Sequence, residues 1–159
     1  MQILTFLSIA VASYYLLSIL QAVFHRSHGH SRRIRAVFQA HAIGHHRQYP
    51  AKRLQSETFV ALESHALYYY LIPVALLAAS IFAAFGPMAG LAHITGAIVT
   101  FAWHIYLHRQ YHLLITPLER FAWFRAKREL HFIHHRNARV NFAVVEFWVD
   151  RLMGTRSRP

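Results

Sequence analysis

From Ser64 to Leu118 the chain carries one charged side chain, Arg109, and residues 1–24 carry none. All 17 Lys and Arg fall in two blocks, Arg26 to Arg53 and Arg109 to Arg158. A net charge of +11 therefore coexists with 55% hydrophobic residues and a mean hydropathy of +0.25. Charge and apolar surface segregated this way predict membrane helices with basic flanks on one side. Nucleic-acid binding is the rival for so basic a chain, but it calls for basic residues on a soluble fold, not uncharged blocks long enough to cross a bilayer.

The expected fold is all-α, an integral membrane helical bundle forming a single domain over 1–159, with about three transmembrane helices and a histidine-rich cytoplasmic metal-binding cap. The spans are expected at 3–24, 58–84 and 88–108. Phe85-Gly86-Pro87 would form a tight reversal between the last two, and Pro73 a kink within the second. The first span starts uncharged and ends in Ala-Val-Phe-His-Arg, which reads as a retained anchor rather than a cleaved signal. The positive-inside rule places the basic segments 25–57 and 109–159 in the cytoplasm. Residues 113–124 mix aromatics with charge and are too short to span; they read as a segment lying in the interface.

With no cysteine, disulfides, thiolate-held zinc, iron–sulfur clusters and thiolate-ligated haem are excluded. Six acids and no Glu-x-x-His exclude a carboxylate-rich di-iron bundle. A metal here must be held mainly by histidine, of which there are 14. Ten of them lie at the ends of the spans or in the basic segments: His25, His30, His41, His45, His46, His104, His108, His131, His134 and His135. Residues three and four apart share a helix face, so His41 with His45, His104 with His108, and His131 with His134 and His135 each aim together. His25 and His30 are five apart and fall on different sides of an ideal helix, unless the chain turns at Gly29. Ten imidazoles exceed what one ion takes; they suit two ions with about five each, leaving room for water or oxygen. His65 and His93 read as ordinary core or surface residues, and His28 and His112 as ambiguous, near the pattern but outside it.

The order of these boxes, "HRSHGH" (25–30), "HAIGHH" (41–46), "HIYLH" (104–108) and "HFIHH" (131–135), resembles the membrane fatty acid hydroxylase and sterol desaturase superfamily. The tail "NFAVVEFWVDRLMGT" (141–155) is similar as well. Three features depart from the family pattern: the wider spacing of His41 and His45, Ala143 in place of a usual glycine, and Val149 between Trp148 and Asp150. The resemblance implies a centre of two iron ions ligated by the ten histidines, with zinc an alternative occupant in a purified sample. Asn141 would stand near that site as a polar support for the ligands.

The implied activity is insertion of one oxygen atom from dioxygen into a C–H bond of a lipid or fatty acyl substrate. Electrons would come from a separate donor such as a ferredoxin or cytochrome. The expected location is the inner (plasma) membrane of a prokaryote, with the active site facing the cytoplasm and no nucleic acid among the partners. A carotenoid ring hydroxylase or a lipid desaturase of the same superfamily, and a histidine-rich membrane metal transporter or sensor, are the alternatives. The spans would form a slot for an acyl tail, with Phe101, Trp103, Tyr106 and Tyr68 as candidate lining. Two basic clusters, Arg47, Lys52 and Arg53, and Arg125, Lys127 and Arg128, would face the anionic leaflet or an acidic electron donor.

Overall fold

In the computed structural model, residues 1–60 and 67–158 are described, which leaves His65 outside the described residues. Secondary structure there is helical apart from one isolated pairing of Ser56 with Leu113. Helix α1 (Gln2–Phe24) runs into a π-helical segment (His25–Gly29). Then follow a short α2 (Arg35–Phe38), a second π-helical segment (Gln39–His45) and α3 (His46–Gln48). Next come α4 (Leu67–Tyr111), a 3₁₀ turn (Pro117–Arg120), α5 (Ala122–Arg136) and α6 (Val149–Leu152).

Two helical stretches, Gln2–Gly29 and Tyr68–Tyr111, are long and apolar enough to cross a membrane. Where three spans were expected there are thus two such helices, but the second is bent. Gly86 has φ 83 and ψ 177, the one non-helical residue inside α4, and helical geometry continues through Pro73. A positive φ of this kind is open to glycine at little cost. The rings of Tyr70 and Phe101 stack with centroids 6.1 Å apart. Along a straight helix those residues would be about 46 Å apart, so α4 doubles back on itself. Its arms are residues 67–85 and 87–111.

The second arm packs on α1 through small residues. A Cβ placed on Gly96 would lie 2.4 Å from the Ala10 carbonyl oxygen, so glycine is what lets the two backbones approach. One turn either side of this contact, His93 Nδ1 meets Ser13 Oγ at 3.0 Å, and Thr100 Oγ1 donates to the Gly96 carbonyl at 2.7 Å.

The expected start of the second span at Thr58 is not observed. Residues 58–60 are non-helical. Phe59 instead stacks on Tyr49 (5.8 Å) and His112 (6.2 Å), and Ser56 pairs with the backbone of His112 and Leu114. Phe59 is thereby half-buried against the histidine-rich end of the fold, while Thr58 and Val60 are exposed.

That end has its own core. Ala22, Leu107, Tyr111, Phe124, Leu130 and Val144 cluster with the chain after α5. The tail is tied to α1 well above its end: the Tyr14 hydroxyl donates to Glu146 Oε1 at 2.8 Å, and Tyr15 packs on Trp148. The segment expected at the interface is the 3₁₀ turn and the start of α5, preceded by exposed Leu114 and Ile115.

Candidate metal centre

Four pieces of chain deliver histidines to one end of the fold: the extension of α1, the second π segment, the end of α4, and α5. The π-helical turns answer the awkward spacing of His25 and His30. His30 N–H donates to the His25 carbonyl at 3.2 Å, an i to i+5 bond, and the two Nε2 atoms come within 3.2 Å. The same geometry recurs where His46 N–H bonds to the His41 carbonyl and the Nε2 atoms lie 3.3 Å apart. Such segments are rare and short, and they gather at functional sites. Gly29 lies against the rings of His25 and His41. A Cβ there would stand 3.0 Å from His25 Cδ2 and 3.2 Å from His41 Cδ2.

The ring nitrogens gather in two groups. His45, His108, His112, His131 and His135, all buried, form one; His25, His30, His41 and His134 form the other. Within each group the candidate ligand atoms lie within 4.8 Å of one another. Eight of the ten expected histidines are therefore in these groups. The other two flank them. His46 stacks on His135 (4.3 Å) and sits between the groups, while His104, one turn before His108, meets Gln21 Oε1 through Nδ1 at 3.1 Å.

His112, ambiguous from sequence, is a full member of the first group, its Nε2 2.9 Å from that of His131. The signal was present: His112 is four residues past His108, on the same face, once α4 is allowed to continue to Tyr111. His28 stacks on Phe24 and contacts Ser27, apart from both groups, and His93 stays with Ser13 between the helices.

Backbone carbonyls set the ring tautomers. Nδ1 of His25, His112, His134 and His135 faces the carbonyls of Phe142 (2.5 Å), Leu54 (2.7 Å), Val140 (2.8 Å) and Tyr49 (2.8 Å). A carbonyl only accepts, so each Nδ1 carries the proton and each Nε2 presents a lone pair. Three of those lone pairs point at the Nε2 of a neighbouring ring: His25 at His41 (2.6 Å), His134 at His30 (3.0 Å) and His135 at His45 (3.1 Å), and His108 Nε2 lies 3.0 Å from that of His45.

Protonating them does not resolve the crowding. Burial, then the neighbouring imidazoles, holds His41, His45, His131 and His134 well below the ordinary histidine value. The same causes lower His46 to about 3, and burial alone brings His112 to about 4. Neutral rings with converging lone pairs are the donor set a divalent transition metal takes, with carbonyls fixing the far side of each ring. The residues fit two such ions.

Asn141 does not touch the rings. In the left-handed region at φ 52, it donates to the Leu130 and Ser157 carbonyls and accepts from Ser157 N–H. It joins the chain after His134 to the residue before His131. Asp150, given no role from sequence, accepts from Phe142 N–H (2.7 Å), Ala143 N–H (3.1 Å) and Thr155 Oγ1 (2.8 Å). It thereby fixes the segment whose carbonyl holds His25. Lys127 donates to the Val145 carbonyl and Arg128 pairs with Glu119, so that cluster is partly engaged within the chain. Arg47, Lys52 and Arg53 are exposed.

The sequence model of a family described as "Fatty acid hydroxylase" matches residues 10–155. Neither curated proteins nor solved structures gave a match.

Proposed function

The chain belongs to the fatty acid hydroxylase family, and on that premise we propose that it is a membrane-embedded di-iron oxygenase that hydroxylates a lipid or fatty acyl chain. The observation that carries this reading is the convergence of Nε2 lone pairs in two groups while Nδ1–H groups are bonded to backbone carbonyls. An unactivated C–H bond offers no acidic proton and no leaving group, so its oxidation calls for redox chemistry; bound iron would supply it by activating dioxygen. In the overall reaction one oxygen atom enters the C–H bond and the other leaves as water, using two electrons and two protons.

The protein's own groups have separate tasks. His45, His108, His112, His131 and His135 would hold one ion, and His25, His30, His41 and His134 the other, with His46 between them and His104 above. The carbonyls of Tyr49, Leu54, Val140 and Phe142 keep each ring turned toward its ion. Burial of the first group excludes water that would otherwise compete for open positions. The folded α4 supports three crossings in all, one by α1 and one by each arm. The basic segments then lie on the cytoplasmic face of a prokaryotic plasma membrane. Arg47, Lys52 and Arg53 are the favoured landing place for an acidic ferredoxin or cytochrome.

The test is expression in a host whose lipids are profiled by mass spectrometry, beside metal analysis of the purified protein. The expected result is two ions per chain and lipid products heavier by one oxygen atom, lost in His135→Ala while the protein still inserts. Unchanged lipids in an iron-loaded, reductant-supplied preparation would overturn the reading.

A further inference from the structure

The carbonyls that hold Nδ1 of His25, His112, His134 and His135 belong to Phe142, Leu54, Val140 and Tyr49, all outside regular helix. There a backbone carbonyl is open to such a bond. His104 is placed differently. It lies on the second arm of α4, against α1, where each carbonyl already accepts from the N–H groups of its own helix. A side chain is the ready source of an acceptor at such a place. Gln21 is that side chain: its Oε1 stands 3.1 Å from His104 Nδ1.

The meeting of these two residues follows from the register of the helices. They run parallel, with Ser13 meeting His93 and the Tyr14 carbonyl meeting Thr100 before Gln21 meets His104. Gln21 and His104 each stand four residues before a histidine of the metal groups, His25 and His108, and so on the same helix faces as those. Gln21 is buried, and so is Leu17, one turn before it. The Tyr70 phenol is the other partner of the amide. That ring lies edge-on to Phe24 (5.8 Å) and stacked on Phe101 (6.1 Å). A buried amide within a span is costly unless its polar ends are bonded. With its N–H turned to the Tyr70 oxygen, its carbonyl oxygen is left for His104.

We propose that Gln21 is a positioning residue for His104, holding the proton on Nδ1 so that Nε2 is the bare nitrogen offered to metal. This rests on the oxygenase reading above and adds what prepares His104, which stands outside both groups, to serve it. A neutral imidazole in water carries its proton mostly on Nε2, and in a protein the bond made by one ring nitrogen decides the state of the other. Without Gln21 the ring would present an N–H where a lone pair is needed.

Nitrogen-15 NMR of histidine-labelled, metal-depleted protein in lipid nanodiscs reads the tautomer, because protonated and bare ring nitrogens resonate far apart. His104→Gln identifies the signal. The expected result is a protonated Nδ1 and a bare Nε2 on His104. Gln21→Met, close in size but without an acceptor, should move the proton to Nε2. After iron loading it should also weaken retention of one ion about 10–100-fold, read by competition with a chelator. Gln21→Glu supplies a carboxylate, which when ionised only accepts, and should restore both. Ser18→Ala, buried on the same helix and bonded to the Tyr14 carbonyl, should alter neither.

A protonated Nε2 on His104 in the unaltered chain would mean that the amide is turned the other way, and would overturn the proposal. So would a tautomer, or a metal retention, unmoved by Gln21→Met, or a loss in Gln21→Glu as deep as in Gln21→Met. Should Gln21→Met fail to insert, the unaltered chain and Gln21→Glu still decide. The expected tautomer in a protein that oxidises no lipid would leave Gln21 its role and sink the oxygenase reading. Lipid oxidation by a chain whose His104 carries its proton on Nε2 would do the reverse.

Discussion

The two histidine groups are built by different means. The group of five takes three members from regular α-helix, His108 on α4 and His131 and His135 on α5. His112 lies just past the end of α4 and His45 closes the second π segment, and every member is buried. The group of four takes His25, His30 and His41 from or beside π-helical turns, and two of its members are only half-buried. In the first, helix periodicity and core packing place the rings. In the second, placement depends on two i to i+5 turns, a glycine and a loop held by Asp150. The second group should therefore be the more easily disturbed, and several substitutions can test that difference.

The largest effect is expected at the centre of the first group. His108→Ala should take bound metal from two ions toward one per chain and reduce lipid oxidation below detection, read by elemental analysis and product profiling. Acidification comes next. The buried rings are held neutral, below the ordinary histidine value, whereas in the unfolded chain they take up protons below about pH 6.5. Folding stability is thus full above that value and falls as the pH drops through it, by up to about 1.4 kcal/mol per pH unit for each such group. Metal-depleted protein unfolded in denaturant at pH 7 and pH 5 should show this. On the loaded protein, the half-buried group should release its ion at the higher pH.

Asp150→Asn keeps the size of the side chain but turns an N–H group toward donors that need an acceptor. It should weaken retention of one ion about 10–100-fold, the usual cost of losing a ligand's support, and spare the other ion; competition with a chelator would read it. Gly29→Ala should act on the same ion, about tenfold, because its methyl meets His25 and His41 and each ring can yield a few tenths of an ångström. The smallest effect belongs to Ser13→Ala. It keeps the Cβ against Gly96 and removes the bond to His93, costing about 0.6 kcal/mol with no change in bound metal. Equal sensitivity of both ions to Asp150→Asn and Gly29→Ala would erase the distinction between the groups.

The same contrast explains what the sequence made legible. Charge segregation pointed to the helices, and Phe85-Gly86-Pro87 marked the reversal, because both are local and chemical. Helical spacing paired His131 with His135 as found. But His134 joins the other group, His41 and His45 are divided between the two, and His104 lies outside both, because the rings turn to different partners across the fold. His112 was ambiguous because it lies beyond the span expected to end at His108, while α4 goes on to Tyr111 under the cover of Phe124 and Val144. The pairing of His25 with His30 was hidden because an i to i+5 turn has no signature beyond the permissive Gly29. Where Thr58 to Val60 lie was decided by Tyr49 and His112, contacts that no local pattern encodes. The carbonyls that fix the rings belong to Tyr49, Leu54, Val140 and Phe142, and any residue type offers a carbonyl.

The bond from His25 to the Phe142 carbonyl joins residues 117 positions apart in the chain. On the ribosome, His25 emerges long before Phe142 exists, and Asp150, which steadies Phe142, emerges later still. During most of synthesis the amino-terminal histidines accordingly lack the partner that sets their protonated nitrogen. Under the proposed function, loading of the ion held by His25, His30, His41 and His134 would then be a late event in biogenesis, and chains truncated before residue 142 should insert normally yet fail to retain that ion.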